Sequence, residues 1–382
     1  MGARLGAHLA RQALRGRLRP PGPALDNATP MDRHNNFDAL RFLAATSVIL
    51  SHAFLLAEGR LYDDPLMRLT HGQVALGVAG VFVFFVISGF LVTQSWERTG
   101  SLTRFATKRA LRIYPGLALC ILVLTFVLGP LVTRLTLSAY FGAYGTYDFL
   151  VANLLVNTDH NSLPGVLFTA LDIGDIVDGP LWSLPVEIAM YVMVGVLGLL
   201  RLIRLPVLGV LLGIGMVCLW FDTTAHYEFI GSVGWMLGFF VVGMAMYRLR
   251  NHRLVFSPFV ALAMAAGLVA SVPLHAFLLL FPIFGGYLVI YLARHRGIPA
   301  IPAARFGDLS YGLYIYGWPV EQAVLYLRPG ISAAQLFLIA FPVAAAIAFL
   351  SWHLVEKRAL RLKPGASSPS RPVAAAIMRY SK

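Results

Sequence analysis

The run Phe37-Asp38-Ala39-Leu40-Arg41-Phe42-Leu43-Ala44-Ala45-Thr46-Ser47-Val48-Ile49-Leu50-Ser51-His52-Ala53-Phe54 is apolar apart from three ionisable side chains. As a helix it turns about 100° and rises about 1.5 Å per residue, so Arg41 and His52 fall on one face about 16 Å apart. A stretch this apolar is long enough to cross a bilayer once the residues after it are included. Charged groups inside such a span are costly, and they usually face a polar interior or a reaction path. The same run therefore argues for a membrane helix and for a functional face on it.

The rest of the chain repeats the membrane signal. It is 58% hydrophobic and 13% charged, with mean hydropathy +0.72, outside the range of an ordinary soluble domain. Ten apolar stretches predict an all-α, polytopic bundle of about ten transmembrane helices, near 38–57, 76–96, 113–132, 184–200, 206–220, 229–247, 256–272, 274–293, 309–327 and 333–354. The long connection 133–183, rich in Gly, Asn, Asp and Tyr, reads as non-helical. With both termini cytoplasmic, 26 of the 31 Lys and Arg fall in inner segments and only Arg60, Arg68, Arg134 and Arg328 in outer loops. This is a strong positive-inside bias. The net charge of +13 thus reports topology, and no basic module interleaved with aromatics points to nucleic acid.

The predicted organisation is a basic flexible tail over 1–35, a transmembrane domain over 36–362 and a disordered tail over 363–382. The first 30 residues lack the apolar core of a signal peptide. An upstream start with Met31 as initiator, or an Arg-rich presequence, are the other readings of that tail. Cys120 and Cys218 both lie in apolar spans, which disfavours a disulfide framework or a thiolate metal site. The sequence holds no phosphate-loop, serine-elbow or zinc motif, and no metal is expected.

Four further constellations carry chemistry. Arg104-Phe-Ala-Thr-Lys108-Arg109-Ala-Leu-Arg112-Ile-Tyr114-Pro115 puts cations at helical spacing where the third span begins. Positive-inside charge alone would explain them, but arginine forks also suit phosphate oxygens. Phe84-Phe85-Val-Ile-Ser88-Gly89-Phe90 offers small residues for close approach of a helix or a ligand. Leu181-Trp182-Ser183-Leu-Pro185-Val-Glu187-Ile-Ala-Met-Tyr191 places a carboxylate inside the fourth span, one turn from a tyrosine. Gly307-Asp308-Leu-Ser310-Tyr311-Gly-Leu-Tyr314 supplies hydroxyls that either pack or line a substrate path.

Taken in order, Asp38-x-x-Arg41 with His52 following, Phe84–Phe90, Arg109-x-x-Arg112-Ile-Tyr114-Pro115, Leu181–Glu187 and Ser310–Tyr314 resemble the acyltransferase-3 family of integral membrane acyltransferases over about residues 36–362. Two positions depart from the family pattern: Ile188 stands where a second carboxylate is common, and Gly317 where a His commonly precedes the Trp-Pro pair.

The resemblance implies a bacterial cytoplasmic (inner) membrane enzyme. It would move an acyl group, acetyl as in the exopolysaccharide acetyltransferases the chain resembles, from cytosolic acyl-CoA to a hydroxyl of a surface carbohydrate or lipid-linked sugar. Arg41, Arg109, Arg112 and Ser88 are then expected to hold the coenzyme. His52 and Glu187 would be catalytic, with His52 either a general base or an acyl carrier. Trp182, Ser183, Tyr191 and Tyr311 would contact the acceptor, while Asp38 and Tyr114 support the site, Asp38 by fixing the Arg41 guanidinium. Glu187 is further expected beside His52, reached from outside through the 133–183 loop. A proton-coupled transporter or flippase of a lipid-linked saccharide is the rival reading, since a buried Arg, His and Glu also serve such carriers.

Overall fold

In a computed structural model, residues 35–59, 61–168, 174–222, 229–295 and 297–363 are described. The two tails expected over 1–35 and 363–382 lie almost wholly outside these residues, as do Arg60, Asp172 and His226. The described residues contain helices and no strand. Each of the ten expected spans is a helix, and the whole is a polytopic helical bundle.

The described residues open with α1 (Phe37–Glu58), whose start is stitched by Asn36. The Asn36 side chain donates to Pro299 O at 3.1 Å and accepts from Ile301 N at 2.7 Å. A helical turn at Pro65–Leu69 follows, capped by the buried Asp64. Next come α2 (Leu76–Thr99) and α3 (Leu102–Val132). Beyond lie α4 (Leu137–Gly142), α5 (Tyr144–Leu154), α6 (Ser183–Leu199), α7 (Leu205–Asp222) and α8 (Phe229–Arg248). The chain continues through α9 (Pro258–Ala270), α10 (Phe277–Arg294), α11 (Ser310–Leu327) and α12 (Ala333–Leu360). Six of these stretches are long and apolar enough to cross a membrane, namely α1, α2, α3, the run Gly179–Leu199, α10 and α12. The span of α11 is more polar but its side chains are nearly all buried.

The structure changes the expected outline in three places. The basic stretch 102–112 is not a loop; it is the first part of α3. Arg and Lys are good helix formers, so the third span simply continues past the apolar region. The connection 133–183 is not irregular throughout, because α4 and α5 lie in it. Thr136 caps α4 by accepting from Ala139 N at 3.2 Å, and the Tyr140 hydroxyl reaches back to Thr125 O at 2.9 Å. That carbonyl belongs to a π-turn, Leu124–Leu128, in α3 just ahead of Pro130. Pro130 cannot donate a backbone bond, and a wider turn with an outside partner relieves the mismatch.

The third change matters most for the site. The segment 174–182 folds inward, with Val177, Asp178 and Leu181 fully buried. Irregular backbone at membrane depth needs protein partners for its polar groups. Here Asn161 pairs with both the N–H and C=O of Asp178, at 3.0 and 2.5 Å. Trp318 Nε1 and Gln322 Nε2 both donate to Ile176 O, at 3.1 and 3.3 Å. The Tyr314 hydroxyl donates to Pro180 O at 3.1 Å. As a result α6 begins deep in the bundle rather than at its edge.

Close helix approach sets the remaining geometry. α1 packs against α2, α11 and α12, and α2 against α8. Gly89 faces the backbone of α8, where a Cβ would overlap the Phe240 carbonyl oxygen. Gly317 does the same between α11 and α1, since a Cβ there would lie 2.7 Å from Ile49 Cγ1. A larger side chain at this position would have to displace the Ile49 side chain. Gly317→Val should therefore destabilise the protein by about 1–3 kcal/mol through overpacking. It should also push His52 of α1 away from α11. An unchanged thermal unfolding midpoint in lipid nanodiscs would show that the two helices have slack there.

Candidate active site

At the Arg41 end of the bundle a cavity of about 280 Å³ opens between α1, α2, α3, α6, α11 and the end of α12. Its volume is near the lower end for ligand pockets. Its polar lining joins Arg41, Arg109, Arg112 and Lys363 with Glu187, Asp308, Ser88, Ser183, Tyr191, Tyr311 and Tyr314.

Two of the cations are held by one carboxylate. Asp308 Oδ2 accepts from Arg112 Nη2 at 2.6 Å and from Arg41 Nη1 at 3.2 Å. Its other oxygen accepts from Ser310 Oγ at 2.6 Å. Burial by itself would raise the Asp308 carboxyl, but Arg112 and Arg41 beside it hold it well below the usual carboxylate range. The expectation that Asp38 fixes the Arg41 guanidinium is corrected here. Asp38 is exposed, and it is Asp308, from a distant part of the chain, that makes the ion pair.

Arg109 is placed differently. Its Nη2 donates to Ser95 Oγ at 3.3 Å, its guanidinium lies 5.7 Å from the Tyr191 ring centroid, and its Nε is buried without a hydrogen-bond partner among the described residues. A buried unpaired guanidinium N–H suits an incoming anion. Lys363 completes the rim; burial, followed by Arg109, Arg112 and Lys108, pulls its ammonium down to about 8.

Glu187 lines this same cavity. One carboxylate oxygen accepts from the Tyr191 hydroxyl and from Ser88 Oγ, the latter at 3.3 Å. Ser183 Oγ pairs with the Tyr314 hydroxyl at 2.7 Å. The Tyr311 hydroxyl donates to Ile113 O at 2.9 Å. Trp182 and Tyr114 are more than a third exposed, and neither lines the cavity. Ile188 packs as a partly buried apolar side chain.

His52 stands apart from that cavity, about three helical turns along α1 from Arg41. Its Nδ1 faces Glu321 Oε2 at 3.7 Å, and its ring meets the Trp318 indole edge-on at 4.9 Å. Glu321 has no exposed surface. The carboxylate expected beside His52 was Glu187; the one found there is Glu321. The inward fold of 174–182 is the reason, since it carries the start of α6 down to the level of the arginines. Glu321 was legible as an acidic residue inside the ninth span, three residues after Trp318. Asp308 stood in the fourth motif but without an assigned partner. Lys363 carried no signal beyond its charge.

A family profile described as an acyltransferase domain, Acyl_transf_3, matches residues 34–353. The chain belongs to that family, and it is a membrane acyltransferase. Among curated proteins it is 29% identical over 342 residues to an O-acetyl transferase of Shigella phage Sf6, covering 86% of this chain and 97% of that one. It is 30% identical over 371 residues to Nodulation protein 10 of Rhizobium leguminosarum bv. viciae, covering 90% of this chain and 97% of the relative. No solved structure matches.

Because Asp308 separates two guanidinium groups, Asp308→Asn should cost about 3 kcal/mol by leaving buried positive charge uncompensated. The native carboxyl is depressed, so its contribution is present at neutral pH. It should be lost only as the pH falls below the ordinary carboxylate value of about 4. Unfolding midpoints that are the same for both proteins between pH 5 and 8 would contradict this role.

Proposed function

We propose that the protein transfers an acyl group, acetyl in the simplest case, from cytosolic acyl-CoA to a hydroxyl of a surface carbohydrate or lipid-linked sugar at a bacterial cytoplasmic membrane. The observation that carries this reading is that α1 runs from a four-cation cavity, through Arg41, to a half-buried His52 facing the buried Glu321 carboxylate. The positive-inside bias supports placing the cavity on the cytosolic side.

In this reading Arg41, Arg109, Arg112 and Lys363 take phosphate oxygens of the donor, the Arg109 Nε supplying an unpaired donor. Ser88 and Glu187 border the path of the pantetheine arm, which runs outward towards His52. Glu321 orients the imidazole through Nδ1, leaving Nε2 as general base. The 3.7 Å separation tightens when substrate is bound, as such contacts commonly do. The acceptor hydroxyl oxygen bonds to the acyl carbon while its proton passes to His52. The carbon–sulfur bond breaks, and the leaving thiolate takes that proton back from His52, giving the free coenzyme and the neutral base. Tyr191, Ser183 and Tyr311 line the inner part of the route, whereas Trp182 sits at the margin of α6.

His52→Ala should abolish coenzyme release from acetyl-CoA in purified protein that still inserts and folds. Glu321→Gln should lower turnover by about 10²-fold, the scale of a misoriented base. Wild-type turnover in either variant removes that residue from the mechanism.

The double variant Arg109→Ala and Arg112→Ala loses charge-assisted hydrogen bonds of roughly 1.5–3 kcal/mol each. It should bind acetyl-CoA at least tenfold more weakly. Equal affinity by equilibrium binding would leave these cations as a topology signal alone.

A further inference from the structure

Around His52 the structure gathers an unusual set of polar atoms. His52 Nδ1, both oxygens of Glu321 and Gln322 Oε1 are all buried without hydrogen-bond partners among the described residues. Glu321 and Gln322 have no exposed surface at all. Leaving such groups unpaired is costly, so their gathering around His52 and one turn of α11 calls for a chemical reason.

The identity of the atoms narrows that reason. The amide oxygen accepts hydrogen bonds and cannot donate them, and the same holds for the carboxylate in its ionised form. The Gln322 amide is oriented by its nitrogen, which donates to Ile176 O at 3.3 Å; its oxygen is therefore turned away from the inward-folded segment. Trp318 Nε1 is tied to the same carbonyl at 3.1 Å. On α11, positions 318, 321 and 322 share one face by helical spacing. Glu321 meets His52 from this helix, and Gln322 Oε1, one residue on, is buried with nothing to accept from among the described residues. A partner for this set must bring several hydrogen-bond donors to one place, as neighbouring hydroxyls on a sugar ring do.

We propose that Gln322 Oε1 and the Glu321 oxygen turned away from His52 form a subsite that binds hydroxyls of a saccharide acceptor next to the one that reacts. The inference rests on the acyl-transfer reading for its meaning but not for its test. Gln322 acts as a specificity residue: it accepts from a hydroxyl adjacent to the nucleophile and so presents the reacting oxygen to His52. Ile176 sets the Gln322 rotamer, which links acceptor recognition to the segment 174–182 that also brings Glu187 to the donor cavity.

The test uses the full chain in lipid nanodiscs with methyl β-D-glucopyranoside as the saccharide probe and cyclohexanol as a ring of similar size with one hydroxyl. The glucoside should raise the unfolding midpoint saturably, and cyclohexanol and added sodium chloride should not. Gln322→Met keeps the side-chain length and apolar contacts while removing the accepting oxygen. It should weaken glucoside affinity about fivefold, the scale of one net hydrogen bond. An absent shift in the wild-type protein overturns the subsite, as does an equal shift with cyclohexanol or salt; neither comparison depends on a variant folding. An unchanged affinity in Gln322→Met overturns the role of Gln322. Acetyl-CoA turnover measured on the same samples separates the two readings. A glucoside shift without any turnover sustains the subsite and removes the acyl-transfer reading, whereas turnover without a shift does the reverse.

Discussion

The Asp308 carboxylate lies between the guanidinium groups of Arg41 and Arg112, which reach it from α1 and α3. Two cations facing a shared cavity repel each other in a medium of low dielectric, and a third element must supply the compensating charge. Asp308 does so from the turn that leads into α11 and is itself oriented by Ser310. One side chain thereby ties three helices at the same depth. The position of α11 then determines where Glu321 and Gln322 fall along α1, and hence what surrounds His52. The acyltransferase architecture is in this sense two polar centres joined by rigid helices, with the ion cluster setting their register.

The two centres ask opposite things of their surroundings. The cation-lined cavity leaves Arg109 Nε unsatisfied and gathers positive charge, which suits an anionic donor. The His52 centre leaves carboxylate and amide oxygens unsatisfied beside the imidazole, which suits a hydroxyl-rich partner. The inward-folded segment 174–182 touches both, because its end begins α6 with Glu187 and its middle tethers Trp318 and Gln322. The proposed transfer of an acyl group between chemically unlike partners needs such a division. It keeps each binding region specific while the reacting atoms meet between them.

Much of the fold was legible because membrane helices announce themselves by apolar length. All ten spans were placed within a few residues of their observed ends, apart from α3, whose basic first turns continue the helix where apolar length gives no signal, and α12, which runs on past residue 354. The arginines were also legible, since helical spacing put Arg109 and Arg112 on one face. What sequence could not supply was depth in an irregular segment. Nothing in Ile176-Val177-Asp178-Gly179 says that it dips into the bundle; that follows from distant partners such as Asn161 and Trp318. Without the dip, Glu187 looks like a neighbour of His52. Asp38 misled for a related reason: one turn away in sequence is a reasonable distance for a salt bridge, yet the arginine found a better-buried carboxylate in the turn before α11.

The claim on which the account turns is that the cavity at the Arg41 end is built for the phosphates of a nucleotide-bearing acyl donor. Equilibrium binding of acetyl-CoA and of S-acetyl-pantetheine, which shares the thioester arm but lacks the phosphates, tests it directly on the wild-type protein. The account predicts that acetyl-CoA binds at least tenfold more tightly and that added salt narrows the gap, since exposed charge contacts are screened. Equal affinity for the two thioesters, indifferent to salt, would contradict it.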